Sequence, residues 1–317
     1  MQINHCLILA AGFGTRMGVI GQKLPKVQWP VFEKSLLELQ VAYARSLGAE
    51  KIYINLHYMG KEIESFCRSK DVFKDVEFLW EKPEILDIGG AVHNLASQPE
   101  VNYQGTLLVL NADQFFYIKE EQFAKLLQPH TKDVCVLLTY WVNSSQGYNA
   151  LDIDEHRLVK RIIQNKDLPP GSKIETYTGI SVINLSMLDK ISGPSNFYKS
   201  VCRFETGPIP AVRLEQVDYW DFGTLKRYWD TMFLILTTYR TNSNHPFLRF
   251  LVNEKALKTW KIDMKKSSYF AKSARVLNLS QNEEIQSFGP SIIMADTFPE
   301  RKEYPAVYWR TISEEVK

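Results

Sequence analysis

Apolar positions along the first two hundred residues fall into short runs and helical repeats that alternate. Leu7 to Leu9 is a short apolar run, the pattern of a buried strand. Ser35-Leu-Leu-Glu38 is a capping box, in which a Ser hydroxyl and a Glu carboxylate satisfy exposed helix N–H groups. Leu36, Leu39, Tyr43 and Leu47 then recur at helical spacing until Gly48. The pattern next predicts a strand over 51–56, a helix over 60–68 and a strand over 76–80. A helix opening at Gly89-Gly90, a strand over 106–110, a helix over 119–128 and a strand over 134–140 follow. Strands alternating with helices predict an α/β chain, a Rossmann-like, mostly parallel sheet with helices on both faces. Ligands of such sheets gather at the carboxyl ends of the strands.

From residue 141 the rhythm changes. Residues 151–154 and 158–163 read as a β-hairpin, 164–173 as a polar loop and 177–184 as a strand. A strand pair near 209–220 precedes Thr224, a candidate cap for a helix to about Arg240. Leu248 to Trp260 predicts another helix. The basic run from Lys258 to Arg275 reads as a solvated face in preference to an anion site.

Composition narrows the function classes. With 317 residues the chain can bury a large core, and a net charge of +2 provides no whole-chain field for nucleic acid or membrane. Four cysteines, far apart and without C-x-x-C, suggest reduced thiols and neither a disulfide frame nor a zinc site. The first apolar run passes straight into glycines, so no signal peptide is expected, and the apolar stretch near 232–236 is too short to span a bilayer. A cytoplasmic protein is expected.

The chemistry concentrates in residues 7–26. Gly12 and Gly14 after a strand allow backbone N–H groups to approach phosphate oxygens. Thr15 and Arg16 add a hydroxyl and a fixed cation, and Lys26 follows Pro25. The dinucleotide fingerprint fails because its third glycine falls on Met17, and no glycine precedes Lys-Ser or Lys-Thr at the P-loop spacing.

The remaining string, G-x-G-T-R-M followed by P-K, resembles the signature loop of the sugar-1-phosphate nucleotidyltransferases. Ordered motifs extend the resemblance over roughly residues 3–240. Asn111-Ala-Asp113 stands where that family has N-G-D, and Glu81, Pro83 and Glu84 to Ala91 resemble its nucleoside-holding stretch. Asn165-Lys166 stands where a Glu-Lys pair follows a hairpin. Tyr177-Thr-Gly-Ile180 resembles the segment at the sugar, and Trp220-Asp-Phe-Gly-Thr224 the W-x-D-[VI]-G-T motif.

The resemblance implies the nucleotidyltransferase fold, similar to glycosyltransferase-A, in a catalytic domain over 1–240 with an extension over 241–317. It implies attack of a sugar 1-phosphate on the α-phosphorus of a nucleoside triphosphate, with pyrophosphate leaving. Ala10, Ala11, Gly12, Gly14, Thr15, Arg16, Glu81, Gly89 and Gly90 would bind nucleotide, and Lys166, Thr178 and Gly179 the sugar phosphate. Arg16, Lys26 and Asp113 would be catalytic, and Asp113 and Asp221 would hold Mg2+, with Asp218 as the rival of Asp221. Gly89-Gly90 also fits a plain helix start, and His57 fits a structural strand end. A phosphate nucleophile is already ionised, so no general base is needed.

The motifs look nearest to N-acetylmuramate α-1-phosphate uridylyltransferases, with mannose- and heptose-1-phosphate guanylyltransferases close behind. N-A-D in place of N-G-D, and a Val19 to Gln22 spacer without P-L-T, leave open a silent nucleotide-binding regulatory module. Left-handed β-helix tails occur in the family, but no six-residue repeat is visible in 241–317.

Overall fold

A computed structural model describes residues 2–258, 276–279, 291–294, 305–310 and 312–316. The chain begins with β1 (Ile3–Leu9), the short α1 (Gly18–Gly21), the hairpin strands β2 (Pro30–Val31) and β3 (Lys34–Ser35), and α2 (Leu36–Ser46). Next come β4 (Ala49–Leu56), α3 (Gly60–Arg68), β5 (Val76–Trp80), α4 (Asp87–Ala96), β6 (Thr106–Asn111), β7 (Gln114–Phe116) and α5 (Glu120–Leu127). Strands β8 (Cys135–Asn143), β9 (Ala150–Ile153), β10 (Val159–Ile163), β11 (Lys173–Asn184), β12 (Ala211–Arg213) and β13 (Tyr219–Asp221) follow. The last described elements are α6 (Leu225–Thr241), α7 (Pro246–Asn253), β14 (Val276–Asn278), β15 (Ser291–Ile293), β16 (Ala306–Trp309) and β17 (Ile312–Glu315). Helix α2 starts on the expected capping box: Ser35 N–H donates to Glu38 Oε2 at 2.8 Å and Glu38 N–H to Ser35 Oγ at 3.2 Å.

Two compact units form. The first comprises Met1–Gly12, Gln40–Ala112 and Ile118–Asp218. It contains a seven-stranded sheet in the order β12-β8-β11-β6-β1-β4-β5. Strand β1 runs parallel to β4 and β6, β4 is parallel to β5 and β12 to β8, while β11 is antiparallel to both its neighbours. Along β1 and β6 the central residues are continuously buried, as in a sheet covered on both faces. One buried cluster includes Leu7, Tyr53, Val92, Leu107, Leu137 and Ile183.

The second unit comprises Phe13–Leu39, Asp113–Tyr117 and Tyr219–Lys317. The two strands expected near 209–220 therefore do not pair with each other. Strand β12 joins the large sheet, whereas β13 lies antiparallel to β7, with Asp221 opposite Gln114. An aromatic core holds this unit together. Phe247 of α7 stacks on Trp220 at 4.9 Å between centroids and meets Phe115 at 5.3 Å, and Trp29 meets Tyr228 edge-on at 4.9 Å.

The division expected after Arg240 does not fall between compact units, because α7 supplies the partner of Trp220 and Phe115. The helix expected over 248–260 ends at Asn253, and most of the basic run lies outside the described residues. The tail carries a repeat of another length. Val276, Ser291 and Ala306, each fifteen residues after the last, stand side by side on parallel strands, with Leu277, Ile292 and Val307 buried in line. Strand β17 closes this ladder antiparallel to β16. No described helix is long and apolar enough to cross a membrane.

Because Phe247 is fully buried between Trp220 and Phe115, Phe247→Ala is expected to cost about 3–5 kcal/mol in urea unfolding. Truncation after Asn242 uncovers the same rings and is expected to remove the near-UV dichroism of the packed Trp29 and Trp220. A soluble truncated chain that keeps that signal would refute this account of the core.

Candidate active site

In the second unit the signature loop is tightly wound. Gly14 is left-handed (φ 64°, ψ 16°) and opens a 3-10 turn over Thr15–Met17, closed by a 3.0 Å hydrogen bond from Met17 N–H to Gly14 O. Met17 is fully buried, which leaves Thr15 and Arg16 exposed. Arg16 has no ion-pair partner among the described residues. Downstream, Lys26 begins another 3-10 turn after Pro25 and pairs with the Asp113 carboxylate.

The β7–β13 ladder explains why Asp113 and Asp221 converge. Asp113 immediately precedes β7, Asp221 ends β13, and Phe222 N–H donates to Asp113 O at 2.9 Å. Gly223 sits between the two side chains: a Cβ there would lie 3.0 Å from Asp221 Oδ1 and 3.2 Å from Asp113 Oδ2. Both carboxylates are mostly buried, at 17% exposure for Asp113 and 12% for Asp221. Asp221 is locked by three donors, each at 2.7 Å: Gly223 N–H, Tyr219 OH and Arg227 Nη1. Asp218 precedes the ladder, so the register brings Asp221, not its rival, beside Asp113.

Sequence reasoning missed Tyr219, Gly223 and Arg227. Gly223 was visible inside the D-F-G-T string. Arg227 had only its place as a signal, six residues after Asp221 and in the first turn of a helix capped by Thr224, whose Oγ1 accepts from Arg227 N–H at 3.1 Å.

Two carboxylates bordering a space that a Cβ would fill fit a hard cation that keeps waters and phosphate oxygens as its other ligands. No group of three or more His, Cys, Asp or Glu that could hold a metal ion occurs among the described residues.

In the first unit the predicted nucleotide residues are mostly engaged internally. Ala10 N–H donates to Asn55 Oδ1 at 2.6 Å, Asn55 Nδ2 to Glu81 Oε1 at 2.7 Å, and Leu86 N–H to Glu81 Oε2 at 2.8 Å. Glu81 is 1% exposed, so in this arrangement it ties the end of β1 to the segment after β5. Ala11, next to Ala10, is buried, and Gly12 is exposed with open space where a Cβ would go. His57 Nδ1 lies 3.0 Å from Glu81 O, as expected of a structural strand-end residue.

Gly89 and Gly90 are buried within α4 and do not open it; the helix starts at Asp87. Their lack of a side chain admits the 193–200 segment: a Cβ at Gly89 would lie 2.5 Å from Ser195 O and one at Gly90 2.6 Å from Gly193 O. Thr178 and Gly179 form a bulge in β11, where the register with β8 shifts. Thr178 Oγ1 donates to Leu138 O at 2.9 Å and accepts from Ile180 N–H at 3.1 Å. Burial pushes the adjacent Tyr177 phenol well above its usual range. Lys166 is exposed. Its neighbour Asn165, in place of the family Glu, donates to Ser144 O at 2.8 Å and Tyr148 O at 3.2 Å, anchoring the turn that presents the lysine.

Residues 5–237 match the family described as Nucleotidyl transferase. The Bifunctional protein GlmU of Prochlorococcus marinus (strain NATL2A) is 33% identical over 162 residues, 50% of this chain and 34% of that relative. A Bifunctional sugar-1-phosphate nucleotidylyltransferase/acetyltransferase of Sulfurisphaera tokodaii is 27% identical over 196 residues, 58% of this chain and 43% of that relative. The chain thus spans less than half the length of these curated relatives. Among solved structures, HddC from Yersinia pseudotuberculosis superposes with a TM-score of 0.60 at 21% identity, covering 73% of this chain and 99% of that one. UDP-glucose pyrophosphorylase complexed with UDP-glucose gives 0.58 at 16% identity, covering 76% and 100%. These likenesses establish the shared fold. With a matched span running from β1 into α6 and containing the Lys26, Asp113 and Asp221 arrangement, the chain belongs to the nucleotidyl transferase family.

Proposed function

We propose that this protein is a sugar-1-phosphate nucleotidyltransferase. The observation that carries the reading is the convergence of Lys26, Asp113 and Asp221 around Gly223 in the same unit as Arg16. A sugar-phosphate oxygen attacks the α-phosphorus, the bond to the β-phosphate oxygen breaks, and pyrophosphate leaves with both electrons of that bond. Two anions must meet, so neutralising charge is the main task of the protein. Arg16 grips the β- and γ-phosphates through its planar fork. Lys26 shifts from Asp113 to the α-phosphate as negative charge builds there. Arg227 and Tyr219 hold Asp221 in a fixed orientation. Magnesium held by Asp113 and Asp221 would supply further charge neutralisation of the triphosphate. Lys166 meets the sugar phosphate, while Ala10, Ala11, Gly12, Gly14 and Thr15 line the nucleotide side. Glu81, Gly89 and Gly90 shape the nucleoside side, and Thr178 and Gly179 the sugar side, through the backbone they hold.

For the substrate pair we infer UTP with N-acetylmuramate 1-phosphate or a related sugar, on the Asn55 to Tyr58, Glu81 to Leu86 and Gly-Gly-Ala91 motifs. GTP with mannose or heptose 1-phosphate is the alternative; the HddC neighbour has also been solved complexed with GMP-PN. The test is pyrophosphate release across nucleoside triphosphates and sugar 1-phosphates with magnesium. No release from any pair, alongside nucleotide binding by thermal shift, would favour a silent regulatory module instead.

Lys26→Ala is expected to leave the fold intact and to lower kcat by about 10²–10³-fold, since its charge matters most in the transition state. A raised KM with normal kcat would remove this role. Asp113→Asn and Asp221→Asn should each slow the reaction, and a double-mutant cycle on kcat/KM across magnesium concentrations should be strongly non-additive. Additive losses, or full activity in chelator, would reject the shared ion. Asp218→Asn should be nearly silent.

A further inference from the structure

The last described strand reaches back to the signature loop. Glu314 Oε2 accepts from Val19 N–H at 2.9 Å, across 295 positions of sequence. Its carboxylate also fills the space beside Gly18, where a Cβ would lie 2.5 Å from Glu314 Cδ and Oε1. Gly18 has φ 67° and ψ −158°, a conformation open essentially to glycine alone. The glycine after Thr-Arg-Met therefore has a double reason to be there: its backbone angles and the room it leaves for Glu314. Neighbouring contacts transmit this anchorage. A Cβ at Gly21 would collide with Met17 Cβ and come within 3.0 Å of Gly14 O, so α1 is wound directly against the turn that presents Thr15 and Arg16. Nothing in the sequence motifs of residues 3–240 anticipates a requirement for residue 314.

The geometry points to Glu314 as a positioning residue for the triphosphate loop: the tail, through β17, sets the conformation of Arg16 without touching substrate. This inference rests on the reading of residues 12–16 as the triphosphate-binding loop. Glu314 sits behind the loop at Val19, on the far side in sequence from Gly12 and Gly14. Its carboxylate satisfies an N–H of the first turn of α1, which would otherwise turn to water, since Val19 is exposed. Freed from Glu314, the loop samples other conformations, and nucleotide binding must then order it again. The cost should appear in nucleotide KM. Once nucleotide is bound the loop is ordered in either protein, so kcat should change little.

The experiment compares wild type, Glu314→Ala, Glu314→Gln and Val19→Pro. It measures pyrophosphate-release kinetics with UTP and GTP, and hydrogen exchange of segment 14–21. Glu314→Ala is expected to raise nucleotide KM about three- to tenfold and to speed exchange over 14–21. Glu314→Gln keeps an acceptor of the same reach and should restore most of both. Val19→Pro removes the donor in a first turn where proline is tolerated. It should reproduce the Glu314→Ala effect and add nothing on top of it. Unchanged KM and exchange in Glu314→Ala would overturn the proposal, as would a loss confined to melting temperature or to kcat. If wild type releases pyrophosphate from no substrate pair, the nucleotidyltransferase reading falls, while the exchange comparison still decides whether Glu314 holds the loop.

Discussion

Two carboxylates brought to one point repel, and the second unit is arranged around that constraint. The repulsion grows as the separation and the local dielectric fall. The β7–β13 ladder nevertheless places Asp113 and Asp221 on either side of Gly223. Lys26 compensates Asp113 and Arg227 compensates Asp221. The ladder can impose this closeness because its other side chains are committed: Phe116 stacks on Tyr219 at 4.2 Å and Trp220 on Phe247 at 4.9 Å. Apolar packing thus holds the two carboxylates close together, each with its own cation, in a fixed arrangement.

The first unit meets a different requirement, that of buried polar groups. Parallel strands ending at Leu9 and Asn111 leave backbone donors at the end of the sheet. Asn55 and Glu81 answer with a chain of hydrogen bonds from Ala10 N–H to Leu86 N–H. The motif residues here act largely by fixing backbone. Gly89 and Gly90 likewise function by what they lack, admitting the 193–200 segment against α4.

The tail is bound to the second unit by both ends of its described structure. Helix α7 contributes Phe247 to the aromatic core, and β17 contributes Glu314 to the signature loop. Between them, three parallel strands recur every fifteen residues, their apolar centres Leu277, Ile292 and Val307 stacked in register. A fifteen-residue period is not a multiple of six, so this ladder differs from a six-residue repeat.

Most strands and helices of the first unit were legible in the amino-acid sequence, because apolar period and capping chemistry are local: Ser35 and Glu38 satisfy each other within one turn. The short motifs that single out Arg16, Lys26, Asp113 and Asp221 as candidates were legible too, and the structure brings Lys26, Asp113 and Asp221 together. What sequence alone could not decide was partnership. The strands at 211–213 and 219–221 are near neighbours in the chain yet join different sheets, because each pairs its backbone with a remote strand, β8 or β7. Arg227 beside Asp221, Phe247 on Trp220 and Glu314 behind Val19 depend on contacts that no local pattern encodes. Local propensity chose the elements and their chemistry; burial of distant side chains, settled only when the chain is folded, chose which charges and rings meet.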